Sequence, residues 1–460
     1  MRISSLGGII ALGLATLEDL KMPAMKEIFI NLASDTFKKR REGSILGRID
    51  SAQILSKACL LLRIWDSIYP TTPLKNNLIN IFGKDVNLFS SAPITKRQRS
   101  TRVAVTSVKD KAATFCLIAN YNRPSQSAAD DFEREDEDSK EIKVWEASLA
   151  TAAAPFYFRP YEKSETKKDY VDGALHANFP VRYALEEMNR IWAGTSGARP
   201  LDILLTVGTG IQEKKIEIPS VLKIGGFDKI CMSFHKNLDS ETQWLKFKEE
   251  MKSQYGLSQN RIQRLNILVQ GEYVALNEYK KMSDLDRMVQ NQMKTRNGGV
   301  SGLGQQIESL ADIFVANLFF FEPDEVTRTN SYLHATNAPG PHHISGSIRC
   351  RLASNSPGLK DLVNKLECFW QTEIHCGGNM APPETAWTQI LYLDEQRKAV
   401  RSDRMKFRLK VSIATFEPND VQQVIAISFR GEDVQKRSPI SGFPVSLKEL
   451  RRRVKDVLAF

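Results

Sequence analysis

The stretch that most constrains this 460-residue chain is "VWEASLATAAAPFYFRPYEKSETKKDYVDGALHANFPVRYALEEMNR" (Val144 to Arg190). Its first part, "WEASLATAAAP", predicts a helix of small residues that can pack close against a neighbour and that stops at Pro155. A polar surface turn follows. Then "YVDGA" places Asp172 behind two strand-forming residues and ahead of a tight turn at Gly173 and Ala174. Pro180 opens an amphipathic helix with Val181, Ala184, Leu185 and Met188 at helical spacing. An aspartate at the end of a strand can bond its own backbone as an Asx-turn, or it can serve a site; the residues alone leave both open. Shortly afterwards the apolar run Leu201 to Val207 ends in "GTG" and predicts a buried parallel strand.

The amino-terminal "MRISSLGGIIALGLATLEDLK" also has two readings. One arginine, an apolar run and small residues near Ala15 fit an export signal, while Gly7, Gly8, Glu18 and Asp19 do not. Alternatively, "SSLGGIIALGL" fits a nucleophile elbow, a sharp strand-to-helix turn that exposes a serine hydroxyl at the top of a sheet. Ser5 would then be the nucleophile. Gly7 would supply the small residue the crowded turn needs, Gly7 and Gly8 would let the following helix pack tightly, and the Leu6 amide would point at the developing oxyanion. Ile3 occupies the other position where a small residue is expected. Composition does not separate the two readings.

Taken in series, "SSLGGIIALGL", "VWEASLATAAAPFYFRPY", "DGALHANFPVRYALEE" and "ILLTVGTG" resemble the patatin-like phospholipase family in its fungal form, over roughly residues 1 to 270. The resemblance implies a three-layer α/β/α fold and a Ser–Asp dyad that hydrolyses acyl esters of lipids. It assigns Ser5, in the Gly-x-Ser-x-Gly position, as nucleophile and Asp172, in the Asp-Gly-Gly/Ala turn, as general base. A carboxylate can act as a base in a closed apolar site, so no histidine is required. None of the six histidines (176, 235, 334, 342, 343 and 375) has triad spacing, and His176 is expected at a turn or the surface. The motif series favours the elbow over the export signal, since secretion would remove Ser5 and leave Asp172 without its partner.

Two departures from the family stand out. Ile3 and Ser4 occupy the place of Gly-Thr. The family's upstream Asp-Gly-Gly-Gly-x-Arg-Gly loop, whose amides form the main oxyanion hole, has no counterpart in the four residues before Ser5. The expectation is therefore a domain lacking its first strand and oxyanion loop, from a truncated or alternatively spliced form of a longer enzyme. Loss of one oxyanion donor alone costs about 3–4 kcal/mol of transition-state stabilisation. The alternative to an active hydrolase is an impaired or inactive fragment that binds lipid or protein.

The remaining sequence narrows the function classes. The formal charge is +10, with basic runs at "FKKRR", "TKRQRSTR" and "LKELRRRVKDVL". No nucleic-acid module accompanies them, so no nucleic-acid partner is expected; each run reads as a solvated helix face or loop, and the basic balance is compatible with peripheral contact with an anionic membrane surface. The six cysteines are sparse. Cys59 and Cys116 fall in apolar runs, and Cys368, His375 and Cys376 lack the pair spacing of a zinc site, so neither metal nor cofactor is expected and a reducing cytoplasmic setting fits. No apolar run is long enough for a membrane span.

Residues 45–69 are predicted helical, and "RVAVTSV" and "ATFCLIANY" are predicted to pair as strands. "SAADDFEREDEDSKE" is expected to be a solvated loop, and residues 240–290 charged helices. "RNGGVSGLGQQ" is expected to be a linker. Beyond residue 310, "DIFVANLFFFEP" and "GSIRCRLA" are predicted strands. The alternating Met405, Phe407, Leu409, Val411 and Ile413 would form an antiparallel hairpin with "VQQVIAISF", and a basic helix would close the chain.

These expectations amount to an α/β patatin-like lipid acyl hydrolase domain over residues 1–290, a linker over 291–310, and a β-rich, sandwich-type domain over 311–460. The predicted substrate is a phospholipid or acylglycerol ester. The partner of the C-terminal domain is undetermined.

Overall fold

The computed structural model describes residues 6–17, 20–38, 67–89, 101–109, 114–121, 132–134, 141–155, 157–192, 201–212, 240–255, 261–271, 274, 277–294, 302–324, 342–352, 356, 358–359, 361–362, 371–377, 387–391, 407–415, 424–430 and 437–456. Two compact units emerge. The first comprises Met1–Gly194, Thr206–Ser258 and Asn266–Asn291; the second comprises Thr195–Leu205, Gln259–Leu265 and Gln292–Phe460.

The first unit is built on a mixed five-stranded sheet. Its strands are β1 (Ala104–Lys109), β2 (Thr114–Ala119), β3 (Glu133–Arg134), β4 (Tyr161–Glu162) and β5 (Asp169–Asp172), in the order β3-β2-β1-β5-β4. As expected from "RVAVTSV" and "ATFCLIANY", β1 and β2 pair antiparallel, with Ala104 opposite Ala119 and Lys109 opposite Thr114. β5 runs antiparallel on the other side of β1, bringing Asp172 opposite Ser107.

The period-2 geometry of these strands sorts their side chains into two layers. Val103, Val105, Cys116, Ile118 and Tyr170 join one apolar cluster with α1 (Leu6–Thr16), α2 (Met22–Phe37), α3 (Thr71–Phe82) and α4 (Val144–Ala152). On the opposite face, Val108, Phe115, Leu117 and Val171 pack with Leu175 and Ala177 of the short helix α5 (Ala174–Ala177) and with Tyr183 of α6 (Val181–Trp192). Helices thus cover both faces of the sheet, a three-layer α/β/α arrangement.

Every residue of α4 is buried. A helix with so little exposed surface needs small side chains, and "ASLATA" provides them. In α6, Val181 is buried and Ala184, Leu185 and Met188 are half-buried, but Glu187 is also fully buried and accepts a bond from the Tyr121 hydroxyl at 3.0 Å. Further along, β7 (Ile211–Gln212) pairs parallel with β9 (Leu268–Val269). α7 (Ser240–Tyr255) buries Trp244, Phe247 and Met251 at helical spacing.

Several expectations are corrected. The run Leu201–Val207 forms a strand only over Leu204–Val207 (β6). That strand is half-buried, Val207 is 72% exposed, and its ladder partner is β8 (Ile262–Leu265) rather than the main sheet. An apolar run reports the capacity for burial, not which layer supplies the cover. Within the acidic stretch Ser127–Glu141, Phe132 is buried and Glu133–Arg134 add a short parallel strand beside Cys116 and Leu117 of β2. The helix predicted over residues 45–69 falls mainly outside the described residues, as do Cys59, Cys231, Cys368, His235, His334 and most of the first two basic runs.

α8 (Met282–Lys294) belongs mostly to the first unit; in the second unit α9 (Leu303–Ala316) follows Gly302, and residues 295–301 are outside the described set. "DIFVAN" is thus helical rather than extended. Leu310, Ile313 and Ala316 are buried at intervals of three, and the strand β10 begins only at Phe319 (Phe319–Pro323). β11 (His342–Cys350) lies between β10 and β14 (Arg408–Thr415) in one antiparallel sheet. A second sheet contains β12 (Gln371–Gly377), β13 (Trp387–Leu391), β15 (Val424–Arg430), β16 (Arg437–Pro439) and β17 (Val445–Ser446).

The alternation in β14 holds: Phe407, Leu409, Val411 and Ile413 are buried, while Arg408, Lys410 and Ser412 are exposed. The hairpin does not. β14 pairs with β11 and β15 with β12, so the two strands belong to different sheets, and "EPND" lies outside the described residues. Ile344, Ile348 and Leu409 share one core with Ile425, Ile427 and Phe429, which makes this a sandwich. The terminal helix α10 (Leu447–Asp456) buries Leu447 and Leu450 in that core, capping it. No described helix is long and apolar enough to cross a membrane.

Candidate active site

Asp172 is the last residue of β5 and is buried. Residues paired across an antiparallel ladder point to the same face, so its side chain shares the face of Ser107. That face is the one covered by α4: the Ser107 hydroxyl lies 3.3 Å from the Ala150 carbonyl of α4 and donates to the Val171 carbonyl at 2.8 Å. The Asp172 amide donates to the Ala153 carbonyl at 3.0 Å. Its Oδ1 accepts the Ala174 amide at 2.8 Å, which is the Asx-turn that the sequence allowed. This bond orients the carboxylate and starts α5.

Gly173 has ordinary right-handed helical backbone angles (φ −60°, ψ −21°), so freedom at positive φ is not what requires glycine here. A Cβ at this position would lie 2.2 Å from Thr106 Oγ1 and 2.5 Å from the Thr106 carbonyl carbon. Glycine is needed because the turn rests directly on β1.

α1 begins at Leu6, the residue after Ser5; Ser5 itself, with Ile3 and Ser4, lies outside the described residues. Gly7 is half-buried and Gly8 buried. A Cβ on Gly8 would stand 2.8 Å from Thr151 Cγ2 and 3.1 Å from Val105 Cγ1, so the first turn of α1 is pressed between α4 and β1. Thr151 in turn donates its hydroxyl to the Thr106 carbonyl at 2.8 Å. The start of α1, the end of α4 and the Asp172 turn therefore converge on residues 105–107 of β1.

His176 is an exposed residue of α5. It stacks on Phe115 with ring centroids 4.5 Å apart, and its Nε2 is 3.1 Å from the Tyr183 hydroxyl. Phe115 belongs to the apolar cluster on the other face of the sheet from Asp172, as expected of a histidine outside the catalytic set. Partial burial against these rings lowers its pKa below the usual 6.5.

Residues 4–185 match the family model described as patatin-like phospholipase. They form a patatin-like phospholipase domain. Residues 343–455, in the sandwich, match a second family model described as a domain of unknown function, DUF8392. Among similar proteins, a cGAMP-activated phospholipase of Escherichia coli (strain TW11681) is 26% identical over 220 residues, covering 48% of this chain and 52% of that protein. Patatin-like phospholipase 1 of Plasmodium falciparum (isolate NF54) is 32% identical over 155 residues, 31% of this chain and 22% of that protein. Rat calcium-independent phospholipase A2-gamma is 36% identical over 76 residues, 16% and 9% of the two chains. The chain thus spans about half the length, or less, of the curated relatives it matches.

In the patatin-like domain, Asp172, Gly173 and Ala174 are brought to one turn, and Gly8 is brought close to the strand that supports it. Sequence reasoning missed Thr106, Ser107 and Thr151. Their signal was present: hydroxyl residues in the middle of an otherwise apolar strand and an otherwise alanine-rich helix must find partners when buried. Among the described residues no group of His, Cys, Asp and Glu side chains is placed to hold a metal ion.

Proposed function

We propose that this chain is a serine lipid acyl hydrolase acting on phospholipid or acylglycerol esters, with Ser5 as nucleophile and Asp172 as general base. The observation that carries the proposal is that Asp172 lies on the sheet face covered by α1 and α4, and α1 starts at the residue after Ser5. In this reading Asp172 takes the Ser5 hydroxyl proton as Oγ attacks the ester carbonyl, and the Leu6 amide stabilises the oxyanion. The alcohol leaves with the proton from Asp172, forming an acyl-enzyme. Asp172 then deprotonates a water that releases the fatty acid.

The protein works as a peripheral enzyme of the cytoplasm, its basic surface drawn to anionic lipid. Hydrolysis of phospholipid and acylglycerol substrates by the full chain tests the assignment. Ser5→Ala and Asp172→Asn are each expected to abolish turnover, and unchanged activity in either variant removes that residue from the mechanism. If the parent chain binds lipid vesicles without hydrolysing them, it is a binding module instead.

A further inference from the structure

The peptide bond that joins Val171 to Asp172 is held at both ends. Its carbonyl accepts the Ser107 hydroxyl at 2.8 Å, and its N–H donates to the Ala153 carbonyl at 3.0 Å. The same Ser107 hydroxyl lies 3.3 Å from the Ala150 carbonyl. The last carbonyls of a helix have no partner within the helix. Here the end of α4 meets the strand pair carrying Asp172: the Asp172 amide donates to the Ala153 carbonyl, and the Ser107 hydroxyl, while donating to Val171, lies beside the Ala150 carbonyl. Ser107 is fully buried, so its hydroxyl has no water to turn to.

We propose that Ser107 is a positioning residue for Asp172, fixing the plane of the preceding peptide and with it the direction in which the carboxylate leaves the backbone. The proposal rests on the reading of Asp172 as general base. With the peptide plane held by Ser107 and Ala153 and the carboxylate by the Ala174 amide, three hydrogen bonds from three elements define where the proton acceptor stands. Without the Ser107 hydroxyl, the Val171 carbonyl keeps its place in the ladder opposite Val108 but loses the side-chain restraint that aligns the peptide plane with the end of α4. A misplacement of order 1 Å costs up to roughly a hundredfold in rate.

The test uses the full chain, with active sites counted by a fluorophosphonate that labels the reactive serine. Ser107→Ala is expected to lower kcat per labelled site by roughly ten- to a hundredfold while KM stays within about twofold. Ser107→Thr, which keeps the hydroxyl, is expected to recover most of that loss. Should the alanine variant not fold, Ser107→Cys, close in volume and a poor donor, is expected to show the same fall in kcat. If kcat per labelled site is unchanged in Ser107→Ala or Ser107→Cys while Asp172→Asn is inactive, the positioning role is overturned and the base assignment stands. If Asp172→Asn keeps full activity, the base assignment itself fails and the positioning role goes with it.

Discussion

Replacing Gly173 with alanine adds a single methyl group at the point where the Asp172 turn rests on β1. That methyl would sit 2.5 Å from the Thr106 carbonyl carbon, whereas ordinary contact begins near 3.4 Å. Rotating the Thr106 side chain does not relieve the clash, because a backbone atom is involved; the turn must lift by about 1 Å. Such overpacking costs about 1–3 kcal/mol. Against it, alanine at a right-handed glycine position restricts the unfolded chain and returns about 0.4–1 kcal/mol. The net destabilisation is about 1–2 kcal/mol, a fall in Tm of roughly 2–8 °C for a domain of this size. The same displacement moves Asp172, so kcat should fall further than stability alone implies, by up to roughly a hundredfold. Thermal unfolding and ester hydrolysis on the same preparation measure both effects. A Gly173→Ala protein that melts at or above the parent temperature with unchanged kcat would refute the close-contact account of this glycine.

Two further outcomes are expected. Gly8→Ala should lower thermal stability through its 2.8 Å approach to Thr151 Cγ2, and Thr151→Ser, which removes that methyl and keeps the hydroxyl, should restore part of the loss, as a double-mutant cycle followed by thermal melting would read. His176 should titrate below 6.5 by NMR; because its native pKa is lowered, its contribution to stability is present above pH 6.5 and lost as pH falls through the native value, and His176→Gln should flatten that part of the stability profile with kcat unchanged.

Where burial followed from period alone, the sequence was readable. The alternation of β14, the small residues of α4 and the pairing of β1 with β2 all follow from which side chains can share a face. The candidate turn was readable for a related reason, since an aspartate followed by Gly173 and Ala174 at the end of a strand has few geometries open to it. What failed was assignment to a partner. "EPND" predicts a turn, but not that β15 joins a different sheet from β14. Ile313, Phe314 and Val315 have strand-forming side chains, yet the spacing of Leu310, Ile313 and Ala316 suits a helix better, and that spacing extends beyond the three strand-forming residues. In the Leu204–Val207 strand, hydrophobic side chains do not bring depth, since the strand is only half-buried. The supports of Asp172 went unnoticed because Thr106, Ser107 and Thr151 are distant in sequence from the turn they hold.

The second unit takes two of its pieces from the middle of the first. In it, Asp202 accepts the Ser441 hydroxyl at 2.7 Å and the Gly442 amide at 2.8 Å, across 239 and 240 residues of chain. Arg261 likewise donates to the Phe443 and Pro444 carbonyls. During synthesis, at roughly 5–20 residues per second, Asp202 waits on the order of 10–50 s for its partners to leave the ribosome. The patatin-like domain can assemble in that interval, whereas the sandwich must be completed last. A single cut near residue 291 would therefore yield two fragments of unequal fate: the amino-terminal one would retain Asp202 and Arg261 without their partners at 441–444, and the carboxyl-terminal one would have to fold without two of the side chains that anchor that segment.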